Sequence, residues 1–123
     1  MILYHGSNCE IAEIDLAICK PFKDFGQAFY LTTILTQARE MAKKVADRFG
    51  GDSIVNAFDF DESEMLGLNV KKFVQPNRER AEFAIGVITI DDLVQGMKSR
   101  KLNNQYAFRT ERAISLLHKR LPV

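Results

Sequence analysis

Residues 36–49 carry the clearest helical pattern in the chain. Ala38, Met41, Ala42, Val45 and Phe49 recur at three- and four-residue intervals, which gathers them on one apolar face. Thr33 or Thr36 can cap the start, and Gly50-Gly51 ends it. Such a helix needs an apolar surface to lie on, and the flanking sequence offers strands. Ile2–His5 is a short apolar run closed by Gly6-Ser7. Phe29–Thr33 is aromatic and β-branched, and it follows a turn signal at Asp24-Phe25-Gly26. Ser53–Phe60 carries Ile54, Ala57, Phe58 and Phe60 and reads as a third strand.

Beyond residue 60 the pattern is less regular. Met65-Leu66 and Val70–Val74 are short apolar pieces. The charged run 76–82 opens a helix or forms an exposed loop, and Phe83–Ile90 reads as a strand. Asp91-Asp92 predicts a cap for a helix over Leu93–Lys98. Gln105–Phe108 reads as a final strand, and Thr110 caps a last helix through Leu117. Residues 8–21 mix polar and apolar positions and read as a loop with one turn of helix. Short strands mixed with two or three helices indicate an α+β fold. At 123 residues the chain is expected to form one domain, residues 1–123, with a single real core.

Composition narrows the function classes. The formal net charge is +1, so no global field draws the protein to nucleic acid or membrane. No run approaches the roughly 20 apolar residues of a membrane span. The start has neither the basic residues nor the apolar run of a secretory signal, so the cytoplasm is the expected compartment. Cys9 and Cys19 stand without a second pair and read as ordinary thiols, a type often buried. No metal-ligand cluster, phosphate loop or dinucleotide glycine fingerprint is present. Asp24-Phe25-Gly26 also occurs in kinases, but no other kinase motif accompanies it. Lys71, Lys72, Arg78, Arg80, Lys98, Arg100, Lys101, Arg109 and Arg112 are basic, with acidic residues interspersed. They read as a solvated face, with contact to RNA or nucleotide phosphate as the sharper alternative.

Two positions stand out for chemistry. His5 is a polar ring at a strand end beside a glycine, where a ligand can come close to the backbone. Tyr30 offers a flat apolar face with a polar tip, among Phe22, Phe25 and Phe29. Taken alone, His5 reads as a structural residue and Tyr30 as core. His118, between Leu117 and Lys119, reads as a surface residue.

The order of motifs adds weight. Leu3-Tyr4-His5-Gly6-Ser7, then Asp24-Phe25-Gly26 leading into Phe29-Tyr30-Leu31-Thr32-Thr33, then Asn103–Phe108 with Thr110-Glu111, together resemble the small bacterial family called domain of unknown function 3990. That family is similar to ADP-ribosyltransferases of the diphtheria toxin and poly-ADP-ribose polymerase side. The resemblance covers residues 1–46 and 98–117 best. It implies a split β-sheet core with flanking helices, compact and shortened in the middle, because relatives carry a longer stretch between Asn77-Arg78 and Asp92-Leu93.

The resemblance also implies roles. His5 would hydrogen-bond a ribose hydroxyl of NAD. The Gly6 backbone would meet the nicotinamide amide, and Ser7 belongs to the same binding motif. Tyr30 would stack on the nicotinamide ring, with Thr32 on the same strand and side. Gln105 stands where the polymerases have a glutamate. A glutamine can orient a hydroxyl but cannot take its proton at neutral pH. The implied activity is therefore NAD-dependent mono-ADP-ribosyl transfer without a metal, with His5, Tyr30 and Gln105 as catalytic residues. The protein would be the toxin of a bacterial toxin–antitoxin pair, with a small antitoxin as partner. Its acceptor (protein, nucleic acid or small molecule) is open. The alternative is a catalytically silent module of the same fold that binds NAD, a nucleotide or a protein. An RNA 2′-phosphotransferase-like enzyme is a third reading, although such enzymes use more arginines and a second histidine.

Overall fold

In the computed structural model, residues 1–16, 28–73, 92–98 and 103–120 are described. The expected turn at 24–26, Cys19, the charged run 76–82 and the expected strand 83–90 lie outside them. The described chain mixes α and β structure. Its elements are β1 (Ile2–Ser7), β2 (Phe29–Thr32), α1 (Leu35–Phe49), β3 (Ile54–Asp59), a 3-10 helix (Glu62–Gly67), β4 (Val70–Phe73), β5 (Leu93–Lys98), β6 (Asn103–Phe108), α2 (Glu111–Ile114) and β7 (His118–Lys119). The strands form one seven-stranded sheet in the order β4-β5-β6-β2-β1-β3-β7. All pairs are antiparallel except β4 with β5.

Alternation along the strands separates two faces. One face carries Leu3, Phe29, Leu31, Phe58, Tyr106 and Phe108, which form the main core with Phe60, Leu68, Leu93 and Ala113. Ile11, Ile14 and Leu16 of the irregular segment after β1 pack against it. Phe29 meets Phe58 edge-on at 5.7 Å, and Phe60 meets Phe108 edge-on at 5.2 Å. The other face carries Tyr4 and Val55, which pack with Ala38, Ala42 and Leu35 of α1.

Helix α1 lies close to the sheet because two alanines meet a glycine. A Cβ placed on Gly6 would come 2.1 Å from the Ala38 carbonyl oxygen and 2.6 Å from the Ala42 nitrogen. The buried stripe is consequently narrower than the sequence pattern. Ala38 and Ala42 are buried, whereas Met41 is 43% and Phe49 59% exposed. The helix stops at Gly50 and Gly51, as expected, both with positive φ. Its start differs from expectation. The N-cap is Ile34, without a side-chain cap. Thr32 serves that turn instead, its hydroxyl accepting from the Ile34 N–H at 3.1 Å.

The largest departure lies at Leu93–Lys98, which is strand β5 and not a helix. Leu93 and Val94 are both fully buried, so consecutive residues point to opposite, covered faces. Asp92 caps no helix over this segment. Its carboxylate accepts from the Thr110 hydroxyl at 2.8 Å and from the Asn69 N–H at 3.1 Å, joining the start of β4 to the start of α2. Thr110 does cap α2, accepting from the Ala113 N–H at 3.1 Å. That helix ends at Ile114, short of Leu117, because the chain turns into β7 at the sheet edge.

Candidate functional site

The site is built around the join between β1 and β2. β1 pairs with β3 along six residues, from Ile2–Asp59 to Ser7–Ile54. Its ladder with β2 consists of the single pair Tyr4–Thr32. Beyond that pair a side chain replaces the main chain: His5 Nδ1 lies 2.6 Å from the Tyr30 carbonyl oxygen. A carbonyl only accepts, so Nδ1 carries the proton, and in the neutral ring Nε2 is the acceptor nitrogen. The His5 ring also stacks on Phe29, with centroids 4.3 Å apart. The imidazole is thus fixed in both tautomer and orientation.

The two key side chains do not share a face. His5 lies with Phe29 on the main-core face. Tyr30, two residues before Thr32, lies on the α1 face with Tyr4 and Thr32. The part of Tyr30 that meets His5 is its carbonyl and not its ring.

The other predicted residues divide similarly. Thr32 and Gln105 are direct partners across β2 and β6, and Tyr30 opposes Ala107. Gln105 therefore stands on the Tyr30 face, two pairs along the ladder. The Thr32 hydroxyl donates to Gln37 Oε1 at 3.2 Å while accepting from Ile34, so it is committed to the entry of α1. Gly6 faces the α1 backbone. Ser7 ends β1, with its hydroxyl 3.8 Å from the Cys9 sulfur. Cys9 is exposed rather than buried. His118 is exposed, as expected, and sits on the edge strand β7.

Two further residues stand near the site, Arg109 of the basic series and Asn56, which no motif marks. Arg109, just past β6, brings its guanidinium close to Tyr30. Burial holds that guanidinium below its ordinary pKa, and the Tyr30 phenol acts in the opposite direction. Asn56 is fully buried on β3, directly opposite His5. Its amide accepts from the Ile11 N–H at 2.8 Å and donates to the Cys9 carbonyl at 3.1 Å. The available signal was a lone amide inside the apolar run Ile54–Phe60, where a buried polar group needs partners.

Arg112 donates to the Gly67 carbonyl and lies 4.0 Å from Asp92, so this cation of the basic series braces the fold. Among the described residues, no three His, Cys, Asp or Glu side chains gather as a metal site. Among them too, no helix is long and apolar enough to cross a membrane.

The family described as protein of unknown function (DUF3990) matches residues 1–85. The chain belongs to that family. The match includes His5, Gly6, Ser7, Tyr30 and Thr32, and it ends before Gln105. No curated protein and no solved structure matches the chain.

Proposed function

We propose that this DUF3990 protein binds NAD at the β1–β2 join, beside His5 and Tyr30, and acts as a mono-ADP-ribosyltransferase. The observation that carries this reading is the hydrogen bond from His5 Nδ1 to the Tyr30 carbonyl. It turns Nε2 into the nitrogen that accepts from a ligand hydroxyl, the role that the ADP-ribosyltransferase resemblance gives this histidine. It also ties the Tyr30 main chain to the same imidazole, and the resemblance gives the Tyr30 ring its place on nicotinamide.

NAD is the substrate in this account. The glycosidic bond from ribose to nicotinamide breaks, nicotinamide leaves with the bonding pair, and an acceptor nucleophile attacks the ribose carbon. The acceptor's proton passes to solvent. Gln105 can orient a hydroxyl but cannot take a proton at neutral pH. Positioning is therefore the main source of rate. Thr32 contributes through the turn it holds into α1, and Gly6 through the close seat it gives that helix.

A silent NAD-binding module is the second reading, favoured by one observation: Gln105, and not a carboxylate, opposes Thr32. Two assays separate the readings. Millimolar NAD should raise the melting temperature of the wild type by several degrees and leave His5→Ala unshifted. Labelled NAD incubated with host lysate should then place label in protein or RNA, and Gln105→Ala should lose label while keeping the thermal shift. A shift without nicotinamide release assigns the silent module. No shift in the wild type rejects both readings.

A further inference from the structure

Behind His5 lies a polar cluster that joins the two ends of the chain. Lys119 Nζ donates to Asn56 Oδ1 at 2.9 Å and to the Ile11 carbonyl. The same ammonium sits 5.5 Å from the centroid of the Phe58 ring. Lys119 is held there by its own strand: it pairs with Phe58, and the Arg120 N–H donates to the Ala57 carbonyl at 2.8 Å. Arg120 also reaches Asp59 at 3.1 Å.

These contacts close a circuit. His5 stacks on Phe29, and Phe29 meets Phe58 edge-on. Phe58 lies under the Lys119 ammonium, Lys119 bonds Asn56, and Asn56 stands opposite His5. Asn56 in turn grips Cys9 and Ile11 of the segment that leaves β1. A buried amide with three partners, two in the segment after β1 and one on β7, is costly to leave half satisfied. Its partners therefore stay together or separate together.

We propose that Asn56 and Lys119 are positioning residues that latch segment Cys9–Ile11 beside His5, so that the C-terminal strand β7 sets the geometry of the NAD site. Lys119 supplies the closing contact, because it bonds the clamp residue and the clamped segment at once. Release of Lys119 frees one acceptor site on Asn56, loosens the Ile11 N–H bond, and lets the Phe58–Phe29–His5 stack shift. This latch rests on the NAD reading for its functional meaning, but its structural part is observable without NAD.

The test compares wild type with Lys119→Met, which keeps an apolar stem over Phe58 and removes the ammonium. Lys43→Met, on the exposed side of α1, is the control. Amide exchange at Ile11 and the His5 ring signals are followed by NMR, and NAD affinity by titration. In Lys119→Met the Ile11 amide should exchange about tenfold faster, the loss expected for one charge-assisted hydrogen bond. The His5 ring signals should move, and NAD should bind more weakly. Lys43→Met should change none of the three. Unchanged Ile11 exchange and His5 signals in a folded Lys119→Met protein overturn the latch. Faster exchange and shifted His5 signals, in a protein whose wild type fails to bind NAD, keep the latch and reject the NAD reading. Faster exchange and shifted His5 signals with unaltered NAD affinity overturn its control of the site.

Discussion

Gly6 is where a strand backbone and a helix backbone meet without a side chain between them. Its hydrogen sits against the Ala38 carbonyl and the Ala42 nitrogen, both main-chain atoms that cannot rotate away. Gly6→Ala should therefore push α1 off β1 and lower stability by about 1–3 kcal/mol or more, measured by urea unfolding. An unchanged midpoint would show that the helix sits further out. His5 carries a second prediction at this scale. Nitrogen-15 NMR near neutral pH should find the neutral ring protonated at Nδ1, as the Tyr30 carbonyl requires. The sequence singled out His5 and Tyr30 through the order of the motifs that hold them; in the structure His5 lies inside β1, which runs on to Ser7, and its ring meets the Tyr30 carbonyl. Their placement on opposite faces was not legible in the sequence. Parity along one strand says nothing about the neighbouring strand until the register is known. Asn56 was missed for the same reason, since its partners Cys9, Ile11 and Lys119 lie far away in sequence.

At the level of elements, the sequence marked α1 well because a period of three and four residues is a local property. It failed at β5. Asp91-Asp92 before Leu93-Val94 has the local look of a helix start, but tertiary pairing with β4 and β6 outweighs it. Asp92 is instead the junction of β4, β5 and α2. Its carboxyl is held below the usual range, first by the Thr110 hydroxyl, then by the Asn69 N–H and the nearby Arg112, while burial opposes them. The folded value lies below the unfolded one, so the stabilisation is complete above about pH 4 and is lost as pH falls through the folded value. Stability should consequently fall in acid, and Asp92→Asn should flatten part of that fall. Among the described residues Asp61 contributes in the same direction, its carboxyl being lowered first by the Ser63 hydroxyl. At neutral pH, Asp92→Ala should cost about 1–3 kcal/mol, because Thr110 and Asn69 both lose a buried partner. Unfolding curves at several pH values for the three proteins check both effects.

Taken whole, the molecule places its candidate site where the sheet is least tied together. Six pairs join β1 to β3 and four join β2 to β6, but one joins β1 to β2. The family match spans the strands that supply His5 and Tyr30, while β6 supplies Gln105 from outside it. Under the proposed function, NAD recognition would reside in the matched strands and the choice between transfer and silent binding in β6, outside them. The most direct measurement is a titration with NAD followed through the His5 and Tyr30 ring signals, repeated by calorimetry on His5→Ala and Tyr30→Ala. NAD binding at this site should give saturable shifts at both residues and an affinity at least about tenfold weaker in each variant, equivalent to about 1.4 kcal/mol. Absence of shifts at millimolar NAD, or equal affinity in both folded variants, would contradict it.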